Sequence, residues 1–279
     1  MELTGKTVLI TGASEGLGAA TARTMSARGA ELVLLARTEA KLEALAGELA
    51  ATGGSARIYP VDLSDLGAVE RTTEAIKAEG SIPDVIVNNA GVGRWLFIHE
   101  TSLDELEAFT AVPYVAAFAV TRGFIAEMAA RGSGNVCNIN GPGAWFPWPG
   151  SIAYASARFA LRGFSTALRV DLRGTGVSVT DVVMGKISSS YWENNAGTEA
   201  RIPPVSKLIP TLSPERAAEV VTRAVERERR LATAPAVYSA FHHLGRVFPG
   251  LVHRAVTAGG PRWPDSGDSA IEPARKPPT

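Results

Sequence analysis

Several things are scarce in this sequence, and each scarcity removes a class of protein. Cys137 is the one cysteine in 279 residues, so no intramolecular disulfide can form. The 28 basic and 28 acidic residues cancel to a formal charge of zero, which offers no broad electrostatic attraction for nucleic acid. There is no uninterrupted run of 18 apolar residues, and no membrane span is expected. The opening stretch MELTGKTVLITGA lacks a basic region, an apolar core and a small-residue cleavage site. No signal peptide is read there, and a cytoplasmic location is expected. His242 and His243 have no cysteine or acidic ligand pattern beside them, so no metal site is expected. No internal repeat or interdomain linker is visible.

Alternating apolar runs and helical patterns are plentiful. TVLITGA, ELVLLAR, ARIYPVDL and DVIVNNAG read as buried strands. Between them, LGAATARTMSARG, TEAKLEALAGELAATGG and LGAVERTTEAIKAEG read as helices closed by glycine. The second half continues with a helix over Leu103 to Met128, interrupted in principle by Pro113. NVCNI follows as a strand, Tyr154 to Leu172 as a helix and Val177 to Val183 as a strand. Ser213 caps a further helix with Pro214 in its first turn. This order predicts an α/β fold with a parallel sheet between two helical layers. Ser189 to Thr211 has no clear period and reads as a lid or short helices. Residues 259–279, rich in Pro, Gly and charge, read as a flexible tail behind a single domain over residues 1–258.

The first strand runs into Thr11-Gly12-Ala13-Ser14-Glu15-Gly16-Leu17-Gly18. Glycines in a strand-to-helix turn let the backbone approach a pyrophosphate, and the helix N-terminus favours its charge. The second strand ends in Ala36-Arg37 rather than an acidic residue. Arg37 can bond a 2′-phosphate, which predicts NADP(H) over NAD(H). The charge of Glu15 works against that choice. Asp62 and Leu63 follow the third strand, where the adenine end is expected. Asn89, Ala90 and Gly91 end the fourth, with Asn88 and Asn89 bracing the backbone.

With these motifs the chain resembles the classical short-chain dehydrogenase/reductase family over roughly residues 5 to 230. The resemblance rests on the glycine motif Thr11 to Gly18, on Asn88 to Gly91 as NNAG, on Arg37, and on Tyr154 at the tyrosine of YxxxK. It implies a Rossmann fold, a doubly wound sheet of about seven parallel strands, and a homodimer or homotetramer. It further implies hydride exchange between a nicotinamide and a carbonyl or alcohol carbon, with Tyr154 exchanging the proton. Three of the four usual active-site positions differ here. The lysine is Arg158, the catalytic serine thirteen residues before Tyr154 is Gly141, and the helix asparagine is Pro113. Arg158 keeps the positive charge on the face of Tyr154. Gly141 has no hydroxyl, which leaves a backbone donor, Asn140 or the substrate itself to replace it. The usual Pro-Gly after the next strand is Met184-Gly185.

Trp95, Phe97, Trp145, Phe146, Trp148, Tyr191 and Trp192 cluster in segments that border the cleft of such a fold. They suit an apolar or aromatic small-molecule substrate or subunit packing. Ala236 to Val256 could cover the pocket, pack on a partner or touch a membrane surface. Three functions are consistent with these residues. They are an NADP(H)-dependent oxidoreductase, a non-redox cyclase, dehydratase or isomerase on the same fold, and a non-catalytic cofactor-binding protein or inactive oligomer partner.

Overall fold

The computed structural model describes residues 1–189, 191, 195, 198, 201–260 and 263. Trp192 and nearly all of the expected tail lie outside the described residues. Seven strands form one parallel sheet: Thr7–Thr11 (β1), Glu31–Ala36 (β2), Ser55–Pro60 (β3), Val85–Asn88 (β4), Gly134–Asn140 (β5), Val177–Met184 (β6) and Leu231–Ala234 (β7). Their spatial order is β3-β2-β1-β4-β5-β6-β7. The order reverses between β1 and β4, and there the carboxyl ends of the strands open into a crevice.

Side-chain alternation explains the two helical layers. On one face Val8, Ile10, Leu32, Leu34, Val85 and Val87 pack with Leu42, Leu45, Val221 and Val225. These last four lie on Glu39–Ala51 (α2) and Pro214–Glu226 (α7), beside Gly16–Ser26 (α1). On the other face Leu9, Val33, Leu35 and Ile86 pack with Val69 and Ile76 of Leu66–Ala78 (α3). Val120, Phe124 and Met128 of Ala116–Arg131 (α5) complete that layer. A strand buried on both faces reads as a continuous apolar run, which is why β1, β2 and β6 stand out in the sequence.

Leu103–Thr110 (α4) starts at a capping box in which Ser102 and Glu105 exchange hydrogen bonds. It runs into α5 through a π-helical turn over Ala111–Val115 that contains Pro113. The Ala116 N–H donates to the Ala111 carbonyl, five residues back. The wider turn accommodates the missing proline donor, and the helix continues through the expected break. The whole run Leu103–Arg131 is long and apolar enough to cross a bilayer by length and composition, although no uninterrupted apolar stretch signals it. Here its buried side chains pack against α3 and the sheet.

Ile152–Asp171 (α6) carries Tyr154 and Arg158 on its buried face. After β7, Val237–Val247 (α8) and Pro249–Thr257 (α9) return over the cleft. Tyr238 of α8 packs where a β-carbon on Gly185 would lie 2.5 Å from its ring.

Candidate active site

One cleft of about 990 Å³ runs along the carboxyl edge of the sheet. Gly12, Ser14, Glu15, Gly16, Leu17, Arg37, Asp62, Leu63, Asn89, Ala90, Gly91, Tyr154, Arg158 and Gly185 all line it. Gly18 supports it from behind. A side chain there would collide with the Gly12 carbonyl and come within 2.7 Å of the Asn89 amide. That bare position lets α1 approach β1 and aims its N-terminus at the cleft. Among the described residues no side chain caps α1, which suits its N-terminus to an anion.

The NNAG segment is braced as its residue types suggest. Asn89 Nδ2 donates to the Thr11 and Gly12 carbonyls at 3.0 and 3.1 Å. The Thr11 hydroxyl accepts from the Asn89 and Ala90 N–H groups. Asn88, fully inside, donates to Thr121 and Asn138. At the far end of the cleft, Lys41 also lines the wall and bonds Glu15 at 2.7 Å. That pairing offsets the glutamate charge that opposed a phosphate nearby. The sequence signal was a lysine in the first turn of the helix that follows Arg37. Partial burial pushes the Asp62 carboxyl up, but the Ser64 N–H and hydroxyl and the Arg37 charge outweigh it and hold it below its ordinary value.

At the other end, Tyr154 and Arg158 are both buried. The Tyr154 ring lies 5.9 Å from Trp95 and from Trp148, which pack edge-on at 4.6 Å. The Arg158 guanidinium stands 5.1 Å from the centre of the Tyr154 ring. Its Nη1 donates to the Ile139 carbonyl at 3.1 Å, and its Nε is buried with no hydrogen-bond partner. A β-carbon at Gly91 would lie 2.7 Å from Arg158 Nη2. The planar fork, broader than an ammonium, therefore occupies the space that Gly91 leaves bare.

Gly141 explains itself in the same way. A β-carbon there would overlap the Tyr154 hydroxyl, and one at Gly143 would lie 2.8 Å from the tyrosine ring. Tyr154 thus occupies space where a serine side chain would begin. The suggested substitutes for that serine are already engaged. The Gly141 N–H donates to Asn140 Oδ1, and Asn140 Nδ2 donates to the Arg158 carbonyl at 3.2 Å and Asp181 at 3.5 Å.

The segment after β6 is tied across the cleft. Tyr191 donates its hydroxyl to the Gly93 carbonyl at 2.8 Å, and burial pushes that phenol well above its ordinary value. Asn195 accepts from Gly93, Thr198 from Trp95, and Arg201 makes two bonds to Glu100 at 2.5 and 2.7 Å. Phe146, Ile202, Phe241 and Val256 complete an apolar chamber beside Tyr154. The last two come from α8 and α9, so the C-terminal segment does cover the pocket. Trp145 instead packs on His242 outside the lining, 4.3 Å between ring centres.

Residues 6–200 match the family described as short chain dehydrogenase. The chain belongs to that family. It is 32% identical over 246 residues to the fatty acyl-CoA reductase of Acinetobacter baylyi, covering 87% of this chain and 78% of that one. It is 31% identical over 255 residues to the probable oxidoreductase EphD of Mycobacterium tuberculosis, of which it spans only 43%. Among solved structures, a metagenomic short-chain oxidoreductase in complex with NADP superposes with a TM-score of 0.70 at 30% identity, covering 84% and 97% of the two chains. A short-chain dehydrogenase from Streptomyces avermitilis reaches 0.77 at 26% identity, covering 90% and 97%. The Rossmann fold and the family membership expected from the motifs both hold.

Proposed function

We propose that this short-chain dehydrogenase is an NADP(H)-dependent oxidoreductase that interconverts a carbonyl and an alcohol on an apolar or aromatic small molecule. The observation that carries the reading is the continuity of one cleft. It runs from Arg37 and Lys41, past the N-terminus of α1, to Tyr154 inside an apolar chamber. The residues fit NADP(H). Gly16 takes the positive φ of 55° that its turn requires, Arg37 and Lys41 offer cations for a 2′-phosphate, and Arg158 lines the opposite end of the cleft with a guanidinium for a ribose hydroxyl. The cofactor, when bound, supplies the hydride-exchanging ring. Its solved relative with NADP agrees with this choice.

Tyr154 carries the proton chemistry. Its hydroxyl gives a proton to a carbonyl oxygen in reduction and takes one from an alcohol in oxidation. Arg158 holds a fixed positive charge beside it, anchored to the Ile139 carbonyl, and stabilises negative charge on the phenol oxygen. Arginine keeps its own proton, so it acts through charge and position rather than as a relay. With Gly141 and Asn140 engaged, the tyrosine hydroxyl is the donor to the substrate oxygen. The apolar walls expel water and suit a hydrophobic carbonyl compound, in keeping with the named activity of the Acinetobacter relative.

Turnover of NADPH with a panel of apolar aldehydes and ketones tests the reading. Tyr154→Phe should lower turnover by about 10²- to 10⁴-fold while NADPH binding stays within a few-fold. Arg158→Lys should retain more activity than Arg158→Met. Normal turnover in both Tyr154→Phe and Arg158→Met would sink the proposed site. The absent serine favours a second reading, a non-redox cyclase, dehydratase or isomerase. It is supported if Tyr154→Phe abolishes a conversion during which no NADPH is consumed.

A further inference from the structure

Helices α8 and α9 have two unlike sides. Their inner side chains Tyr238, Phe241 and Val256 line the cleft. At the corner where they meet, Val247, Phe248 and Leu251 are 67, 56 and 60% exposed, with Leu244 beside them. Phe248 joins the two helices, and Pro249 and Gly250, which open α9, are both exposed. Four apolar side chains at a convex corner bury nothing of this protein's own core. Around them, His243, Arg246, His253 and Arg254 are also exposed. Along α8 and α9 the charged side chains are of one sign: from Val237 to Thr257 the sequence contains Arg246 and Arg254 and no aspartate or glutamate, although the chain as a whole is neutral.

We propose that this corner docks on an anionic phospholipid bilayer. Phe248, Val247 and Leu251 would enter the boundary between headgroups and acyl chains, while Arg246 and Arg254 pair with lipid phosphates. The two short helices rule out a span: 11 and 9 residues are far below the roughly 20 that a crossing needs. Charge complementarity selects the occupant. An isologous contact with a second copy would place each arginine near its own counterpart, with no acid in the segment to relieve the repulsion. The corner is also small against the roughly 20–30 residues a side of a stable interface. A negative surface neutralises the basic ring and accepts the apolar tip together.

Docking this way seats the helices that wall the cleft at the lipid surface. It does not depend on the reaction class assigned above, because NADPH binding and turnover do not enter its readout. The experiment is sedimentation of the full chain with vesicles of phosphatidylcholine alone or with 30 mol% phosphatidylglycerol, the vesicle composition being about that used to mimic an anionic leaflet. The protein should bind the anionic vesicles, be released by salt, and leave the neutral vesicles in solution. Arg246→Glu with Arg254→Glu should weaken binding more than about tenfold, and so should Phe248→Ser with Leu251→Ser. Both variants should keep the wild-type circular dichroism and urea-unfolding midpoint, which shows that they fold. Absence of binding to anionic vesicles overturns the proposal. So does binding that survives both double substitutions, or a change in oligomer mass in Phe248→Ser with Leu251→Ser, which would assign the corner to a second copy.

Discussion

At Gly141 a single missing side chain decides where a tyrosine can stand. Gly141→Ser would return a hydroxyl to this position, but the new β-carbon would overlap the Tyr154 hydroxyl. Gly141→Ser should lower turnover by tenfold or more and reduce stability by about 1–3 kcal/mol, the usual cost of overpacking. Steady-state kinetics and urea unfolding check the two effects, and a faster enzyme would refute the overlap. A second residue carries a pH signature. Burial pushes the Asp181 carboxyl up from 3.8 to about 6, in spite of Arg169, the Asn140 amide, Arg162 and Arg158. The folded state then holds this proton more tightly than the unfolded chain. Stability from this group is full below the ordinary carboxylate value and falls as pH rises towards about 6, beyond which it stays level. Asp181→Asn removes that fall. Relative to wild type it should gain about 2–3 kcal/mol between pH 4 and pH 7 in urea unfolding. A difference that does not vary with pH would show that the site relaxes to solvate the charge.

At the scale of elements, the proposed preference for NADP(H) rests on the join between β2 and α2. Arg37, just before α2, and Lys41, in its first turn, both line the cleft wall, and Lys41 holds Glu15. Arg37→Ala should weaken NADPH binding by about tenfold or more, the range of one charge-assisted contact. NADH binding should be unchanged. Equal affinities of the native protein for both cofactors would defeat the preference. Much of this was legible in the chain. The glycine turn, NNAG and the Tyr154–Arg158 pair announce themselves because each is a local device whose function fixes its spacing. What stayed hidden depends on approach between distant segments. β7 is four residues, LATA, held by its pairing with β6 and by packing of Ala232 and Ala234 in the core, and too short to show a period. The π turn at Pro113 looked like a break because a proline in sequence does not reveal how the next turn widens. Gly143 reads as an ordinary glycine, and Gly91 only as part of NNAG, until Tyr154 and Arg158 from α6 are laid on them.

For the molecule as a whole, a second apolar surface lies on the side of α4, α5 and α6. Leu103, Leu106, Phe118, Phe159 and Val170 are exposed there, and Phe118 touches Phe164 across α5 and α6 at 5.5 Å. An exposed patch of this kind marks an association face. The protein should be a homodimer or homotetramer by light scattering across a concentration range, and Phe118→Glu should reduce the mass without unfolding the chain. A persistent monomer in the native protein would reject this. The fit of α6 on the ends of β4 and β5 also constrains substitution. Tyr154 needs bare positions at 141 and 143, and Arg158 needs one at 91. The two side chains and their three bare positions form one unit, so a substitution at any of the five is felt by the others, and a serine at 141 becomes sterically admissible only together with a change that moves the Tyr154 ring.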